Sequence, residues 1–300
     1  MTLKKTPRPM IEQVVRSVCG SAPGELVSLS GGGMNETYRA QIAGNTPIVI
    51  RIAHQRWQWF TNEARAMALA RDVGVPAPNV LGVEHVEHEG QQRSFSVLEL
   101  VPGRALSELV GELPSADVER LVVESGVLLA RLHSVFSDQE TRHELKPLGE
   151  DLVTRVLRNV DQSLGAQAVT VTQRGVDLYR HTLQTRVDPK PRLTHGDWLP
   201  KHFLVGKGGT ITSVIDWEFA GSAPPAFDLA HWEVAAGKLR HRFDLLRRGY
   251  AQITDPDGAD EGWGPAFVIH FALDVLGWKN PASRAYQKRV VDAMARHVGA

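Results

Sequence analysis

Strand-like and helix-like patterning occupy different stretches of this sequence, and that segregation limits its fold more than any other feature. From residue 26 to about 100 the pattern is mostly that of strands. Leu26-Val27-Ser28-Leu29 ends in Ser30-Gly31-Gly32-Gly33, Glu36–Ile42 alternates up to a Gly44-Asn45 turn, and Pro47–Ile52 is rich in β-branched residues. Three such runs divided by turns predict an antiparallel meander. Asn62–Ala70 consists of helix formers and is followed by Gly74, which predicts a helix there. Val80–Val86 and Arg93–Leu100 predict two further strands around Glu89-Gly90. Pro102-Gly103 then breaks the pattern. Beyond it, Leu121, Val122, Leu128, Leu129 and Leu132 recur at helical spacing within Val118–His133. Segments 151–164 and 173–187 also read as helices, 192–217 as short strands around a loop, and the remainder from Phe227 as helical. A β-rich lobe, residues 1–101, is thus expected to join a larger helical lobe, residues 102–300, with the connection at Leu100–Gly103.

Composition supports a packed chain and narrows its partners. Hydrophobic residues make up 42% and charged residues 23% of 300, enough apolar material for a core. Lys+Arg and Asp+Glu both total 34, so no polyanion-seeking surface is implied and a nucleic-acid partner is not expected. The longest apolar stretch, Phe267–Trp278, is interrupted by His270, Asp274 and Gly277 and is too short and polar to span a bilayer. Pro7 and Pro9 lead into Met10–Val15, the start of an amphipathic helix rather than of a signal peptide. With Cys19 as its one cysteine, the chain is expected in the cytoplasm.

The densest chemical signal is Leu193-Thr194-His195-Gly196-Asp197-Trp198-Leu199-Pro200-Lys201-His202, followed by Val214-Ile215-Asp216-Trp217. Each unit sets an aspartate beside an apolar strand, so two carboxylates could face one site from strand ends. One could accept a proton while the other holds a divalent cation, as phosphoryl transfer requires. Taken singly, either aspartate reads better as a turn residue capping a short strand, and it is the pair within these motifs that points to chemistry.

These paired motifs, with Phe227-Asp228-Leu229-Ala230 after them, resemble the aminoglycoside phosphotransferase family of small-molecule kinases, and the likeness runs from about residue 26 to about 240. The resemblance implies an α+β, two-lobed protein-kinase-like fold with a small antiparallel N-terminal lobe and a mainly helical C-terminal lobe. It implies that Asp197 is the catalytic base and Asp216 the Mg2+ ligand bridging the β- and γ-phosphates, since that hard cation takes oxygen ligands. His195 and Asp228 would support the catalytic loop, Asp228 as a helix N-cap. Where the family commonly has Asn, five residues after Asp197, this chain has His202, as the macrolide-kinase branch also does. His202 is therefore a candidate second metal ligand or a side chain packed under the loop. Gly31, Gly32, Gly33 and Asn35 would wrap phosphate, Arg51 would meet the α/β-phosphates while paired with Glu63, and backbone near Glu99 and Val101 would meet the base.

The expected activity is transfer of the γ-phosphate of ATP or GTP to a hydroxyl of an antibiotic, first of all an aminoglycoside, giving resistance. Macrolides and metabolite alcohols such as homoserine or choline would use the same groups. A polycationic acceptor needs carboxylates, and Asp255, Asp257, Asp260, Glu261 and Asp274 are the candidates. A nucleotide-binding module without transfer is the alternative from another class. Oligomeric state is not readable from the sequence.

Overall fold

The computed structural model describes residues 5–29, 35–54, 59–88, 91–136, 145–185, 191–255, 262–278 and 282–299. They form two compact units, Met1–Arg104 with Leu204–Glu218, and Ala105–Phe203 with Phe219–Ala300. Asp216 consequently belongs to the first unit and Asp197 to the second.

In the first unit, α1 (Arg8–Cys19) precedes β1 (Val27–Ser28), β2 (Asn35–Ile42), β3 (Thr46–His54), α2 (Trp59–Asp72), β4 (Val80–His88) and β5 (Gln91–Glu99). The five strands make one antiparallel sheet in the order β1-β2-β3-β5-β4. The expected meander is its first three strands, with β1 shorter than the run Leu26–Leu29. The turn expected at Glu89-Gly90 lies outside the described residues.

Strand β3 shows why the sheet has a buried face and a chemical face. Successive side chains point to opposite sides, and Ile48, Ile50 and Ile52 are all fully buried. They share a core with Phe95 and Val97 of β5 and with Met10, Ile11, Val14 and Val15 of α1. Those α1 positions form one helical stripe, so the helix closes over the isoleucines. Arg51 has the opposite parity and pairs with Thr37 on one side and Ser96 on the other.

The chain continues through β6 (Arg104–Ala105), α3 (Leu106–Leu109), α4 (Ser115–Leu132), α5 (Glu150–Leu164) and α6 (Ala166–Thr185). Then come β7 (Arg192–Thr194), β8 (Phe203–Val205), β9 (Ile211–Val214), β10 (Gly221–Ala223), α7 (Ala226–Ala235), α8 (Phe243–Tyr250), α9 (Gly264–Leu276) and α10 (Arg284–Ala295). The apolar stretch that begins at Phe267 is largely α9, whose Phe267, Ile269 and Leu273 share a core with Val156 of α5, Val176 of α6, Phe227 of α7 and Met294 of α10. Helices on several sides explain why α9 is apolar around most of its circumference. Among the described residues, no helix is long and apolar enough to cross a membrane.

Helices α4 and α8 touch through glycine. A Cβ at Gly249 would collide with the Val123 carbonyl, and one at Gly126 with the Leu246 carbonyl. Neither obstacle is a flexible side chain, so the helices would have to part. Gly249→Ala is expected to lower stability by about 1–3 kcal/mol, the scale of overpacking. A urea midpoint equal to the parent's would contradict this packing.

Candidate active site

In the first unit, charge gathers around Arg51. Its guanidinium lies 2.5 Å from Glu63 Oε2 and 3.6 Å from both Asp216 Oδ1 and Glu218 Oε2. The guanidinium carbon also sits 5.3 Å from the Phe60 ring centre. Glu63 is there because α2 buries Phe60, Glu63, Ala66, Met67 and Ala70, a helical stripe in which the carboxyl takes one place. Asp216 has φ 67, a left-handed conformation that non-glycine residues rarely adopt. Its flanks hold it so: Trp217 Nε1 donates to the Val214 carbonyl at 2.8 Å, and the Val214 N–H to the Pro76 carbonyl at 2.7 Å. Three carboxyls against one guanidinium make a donor set suited to a divalent cation with hard oxygen ligands.

The crowding acts on Glu63. Burial pushes its carboxyl up to about 7, with Arg51 pulling down and Asp216 and Glu218 pushing further up. Its Oε1 has no hydrogen-bond partner among the described residues. A carboxyl that holds its proton more tightly folded than unfolded favours the folded state most fully at low pH. That contribution declines as pH rises from the ordinary 4.5 to about 7 and then stays level. Without nucleotide, Glu63→Gln is expected to flatten the pH dependence of the denaturation midpoint in this window. Superimposable profiles would show that Glu63 does not titrate there.

In the second unit, β7 pairs antiparallel with β10, Thr194 opposite Gly221, and leads directly into His195-Gly196-Asp197. Gly196 has φ 84, and a Cβ there would strike the Phe219 carbonyl, so only glycine fits this turn. Asp228 organises the loop. Its carboxylate accepts from the His195 N–H at 2.9 Å and the Gly196 N–H at 2.8 Å, and His133 Nε2 is 3.2 Å away. The His133 Nδ1 in turn lies 2.9 Å from the Tyr250 hydroxyl. Burial alone would raise the Asp228 carboxyl, but the His133 hydrogen bond and charge and the His195 N–H hold it below its ordinary value. The expected N-cap role is corrected: Asp228 lies inside α7, whose N-cap is Pro225 without a side-chain bond. The reach to residues 195–196 comes from folding, since these partners lie 32 and 33 residues away in sequence.

Imidazoles fix Asp197 from both sides of its backbone. The Asp197 N–H donates to His195 Nδ1 at 3.2 Å, and His202 Nδ1 donates to the Asp197 carbonyl at 2.8 Å. Because a carbonyl can only accept, the neutral His202 ring must carry its lone pair on Nε2. The Asp197 carboxylate meets Lys201 Nζ at 2.9 Å through Oδ2 and His231 Nδ1 at 3.4 Å through Oδ1. Burial keeps the His231 ring below its ordinary value, against the upward pull of Asp197 and Asp228. A cavity of about 930 Å³ in this unit opens on Asp197, Lys201 and His231.

The remaining candidates divide as follows. Asn35 begins β2 opposite Ala53, while Gly31, Gly32 and Gly33 lie outside the described residues. Glu99 ends β5, its N–H donating to the Asn79 carbonyl at 2.9 Å, and Val101 follows beyond the ladder. Three side chains that the structure places against these candidates escaped the sequence reading: Glu218 beside Arg51, and Lys201 and His231 beside Asp197. The signals were faint but physical: Glu218 stands two residues after Asp216, Lys201 four residues after Asp197, and His231 on the same helix as Asp228.

The phosphotransferase enzyme family (APH) matches this sequence over residues 25–237. No curated protein matches it. Among solved structures, a spectinomycin phosphotransferase in complex with ADP and spectinomycin is similar at 13% identity and TM-score 0.67, covering 98% of this chain and 99% of that one. An amicoumacin kinase in complex with AMP-PNP, Ca2+ and Ami is similar at 14% identity and TM-score 0.64, covering 96% and 92%. A choline/ethanolamine kinase family protein from Mesorhizobium loti is 23% identical, with TM-score 0.59 and 92% of each chain covered. The fold these share with this chain is protein-kinase-like, an antiparallel N-terminal sheet followed by a helical C-terminal part.

Proposed function

The chain belongs to the phosphotransferase enzyme family, and from that premise we propose that it moves the γ-phosphate of ATP or GTP onto a small-molecule hydroxyl with Asp197 as general base. The observation that carries this reading is Asp197 itself. Its backbone is held by two imidazoles and its carboxylate opens on a cavity large enough for a drug-sized acceptor. A fixed carboxylate beside an acceptor hydroxyl lowers the barrier by accepting the proton and by orienting the attacking oxygen.

The other residues take roles that follow from their chemistry. Arg51, oriented by Glu63, pairs with the α/β-phosphates through its planar fork. Asp216, and His202 through Nε2, would hold Mg2+, and the net charge around Arg51 fits such an ion. When bound, the cation supplies neutralisation of phosphate charge. Backbone at Glu99 and Val101 meets the base, and Gly31, Gly32, Gly33 and Asn35 cover the phosphates. His195 and Asp228 hold the catalytic loop. An antibiotic acceptor agrees with the spectinomycin and Ami held by the two similar structures. We place the reaction in the cytoplasm, which supplies nucleoside triphosphates.

The test is nucleoside diphosphate release from ATP or GTP over a panel of hydroxyl compounds. Transfer to any of them above the hydrolysis background supports the reading, and its absence with every acceptor favours the nucleotide-binding module. His202 has its own test. His202→Asn exchanges a ring nitrogen for an amide oxygen, so the ratio of manganese- to magnesium-supported kcat/KM is expected to fall roughly severalfold, imidazole being the softer ligand. An unchanged ratio would leave His202 as support for the loop alone.

A further inference from the structure

The lining of the second-unit cavity is aromatic where an aminoglycoside site should be acidic. Phe219, Phe227, Phe271, Trp278 and Tyr286 face it. Phe271 stacks on His231 with ring centres 4.4 Å apart, and Trp278 lies 6.5 Å from Tyr286. Phe219 and Trp278 are 40% and 43% exposed, so large apolar surfaces stand open to whatever enters.

Among the described residues of the lining, the charges of lysine and aspartate cancel. They belong to Asp197, Lys201, Lys238 and Asp274. Asp197 already faces Lys201 at 2.9 Å, which leaves one lysine against one aspartate. Asp274 is itself approached by Trp278 Nε1 at 3.4 Å. Burial disfavours a charge on the His231 ring, which also lines the cavity. A polycation entering here would exchange water for aromatic faces and a lysine, with a single carboxylate not already paired to lysine. Of the acidic cluster expected to serve it, Asp257, Asp260 and Glu261 lie outside the described residues, and Asp255 is not among the lining.

Resting on the kinase reading above, we infer that the acceptor is an uncharged hydroxyl compound with a broad aromatic or alicyclic face. The ring system lies against the aromatic wall, and a hydroxyl at its edge reaches Asp197. Apolar contact supplies affinity and the Asp197 carboxylate selects the reacting oxygen. Such binding is insensitive to salt, whereas recognition of a polycation is screened by it.

The experiment compares three matched arms: aryl β-glucosides and hydroxylated steroids, aryl glucuronides as anionic counterparts, and kanamycin with tobramycin as polycations. Nucleoside diphosphate release and calorimetric acceptor binding are read for each. Turnover is expected in the uncharged arm, with KM independent of salt between 50 and 500 mM (about a threefold change in Debye length). Trp278→Ala is expected to raise that KM by roughly tenfold, the effect of losing one aromatic contact, with kcat nearly unchanged. Trp278→Phe, which keeps a ring, should recover most of the loss, and Trp278 is exposed enough for both variants to fold. Higher kcat/KM in either charged arm, no turnover in the uncharged arm, or a KM indifferent to Trp278→Ala would overturn the inference. The kinase reading fails separately, if Mg–nucleotide does not bind or if no compound of the wider hydroxyl panel is phosphorylated.

Discussion

Asp197→Asn is expected to leave Mg–nucleotide affinity within a few-fold of the parent and to lower kcat by roughly 10²- to 10⁴-fold, the range for losing a general base. The amide is nearly isosteric, so the loop should keep its shape. The contacts that position residue 197 are the backbone bonds to His195 and His202, which the substitution does not touch. What disappears is the capacity to take a proton and the charge facing Lys201 at 2.9 Å. Single-turnover kinetics at saturating acceptor separates the chemical step from binding. A variant turning over within a few-fold of the parent would remove Asp197 from the role of base.

Asp216→Ala is expected to lower transfer by roughly 10³-fold or more, the upper scale for removing a main electrostatic contributor. Nucleotide affinity should fall with it, but only when magnesium is present. Two further readouts distinguish this from misfolding. Residue 216 sits in the left-handed region, which asparagine adopts more readily than alanine, so Asp216→Asn is the companion variant that separates loss of the carboxylate from backbone strain. One like charge beside Glu63 is gone, so the raised Glu63 value should move down. Unchanged affinity for Mg–nucleotide would show that the metal is held elsewhere.

Asp197 and Asp216 were legible because each lies in a motif whose neighbours are local in sequence. The pairing of Arg51 with Glu63 was an implication of the family resemblance, and the structure brings the two side chains together. His231 was not legible, although it lies 3.4 Å from Asp197. Its approach depends on α7 packing against α9, where Phe271 stacks on it, and no local spacing encodes that. Asp228 was read in part: contact with the catalytic loop agrees with the hydrogen bonds it makes, and the N-cap does not. The N-cap is a local geometry, whereas the carboxylate accepts from N–H groups 32 and 33 residues away in sequence.

By itself the sequence determined where strands and helices lie and which face of each is apolar. The alternation of Ile48, Ile50 and Ile52 with Val49 and Arg51 is a property of neighbours along one strand, and backbone geometry alone turns it into two faces. Tertiary structure decided the strand order β1-β2-β3-β5-β4, the joining of residues 204–218 to the first unit, and the character of the acceptor cavity. These depend on which distant surfaces meet. The same is true of charge: Glu63 is an ordinary glutamate in the sequence, and only burial beside Asp216 and Glu218 carries its carboxyl to about 7. Solvation and Coulomb forces act through space, so their outcome waits on the fold.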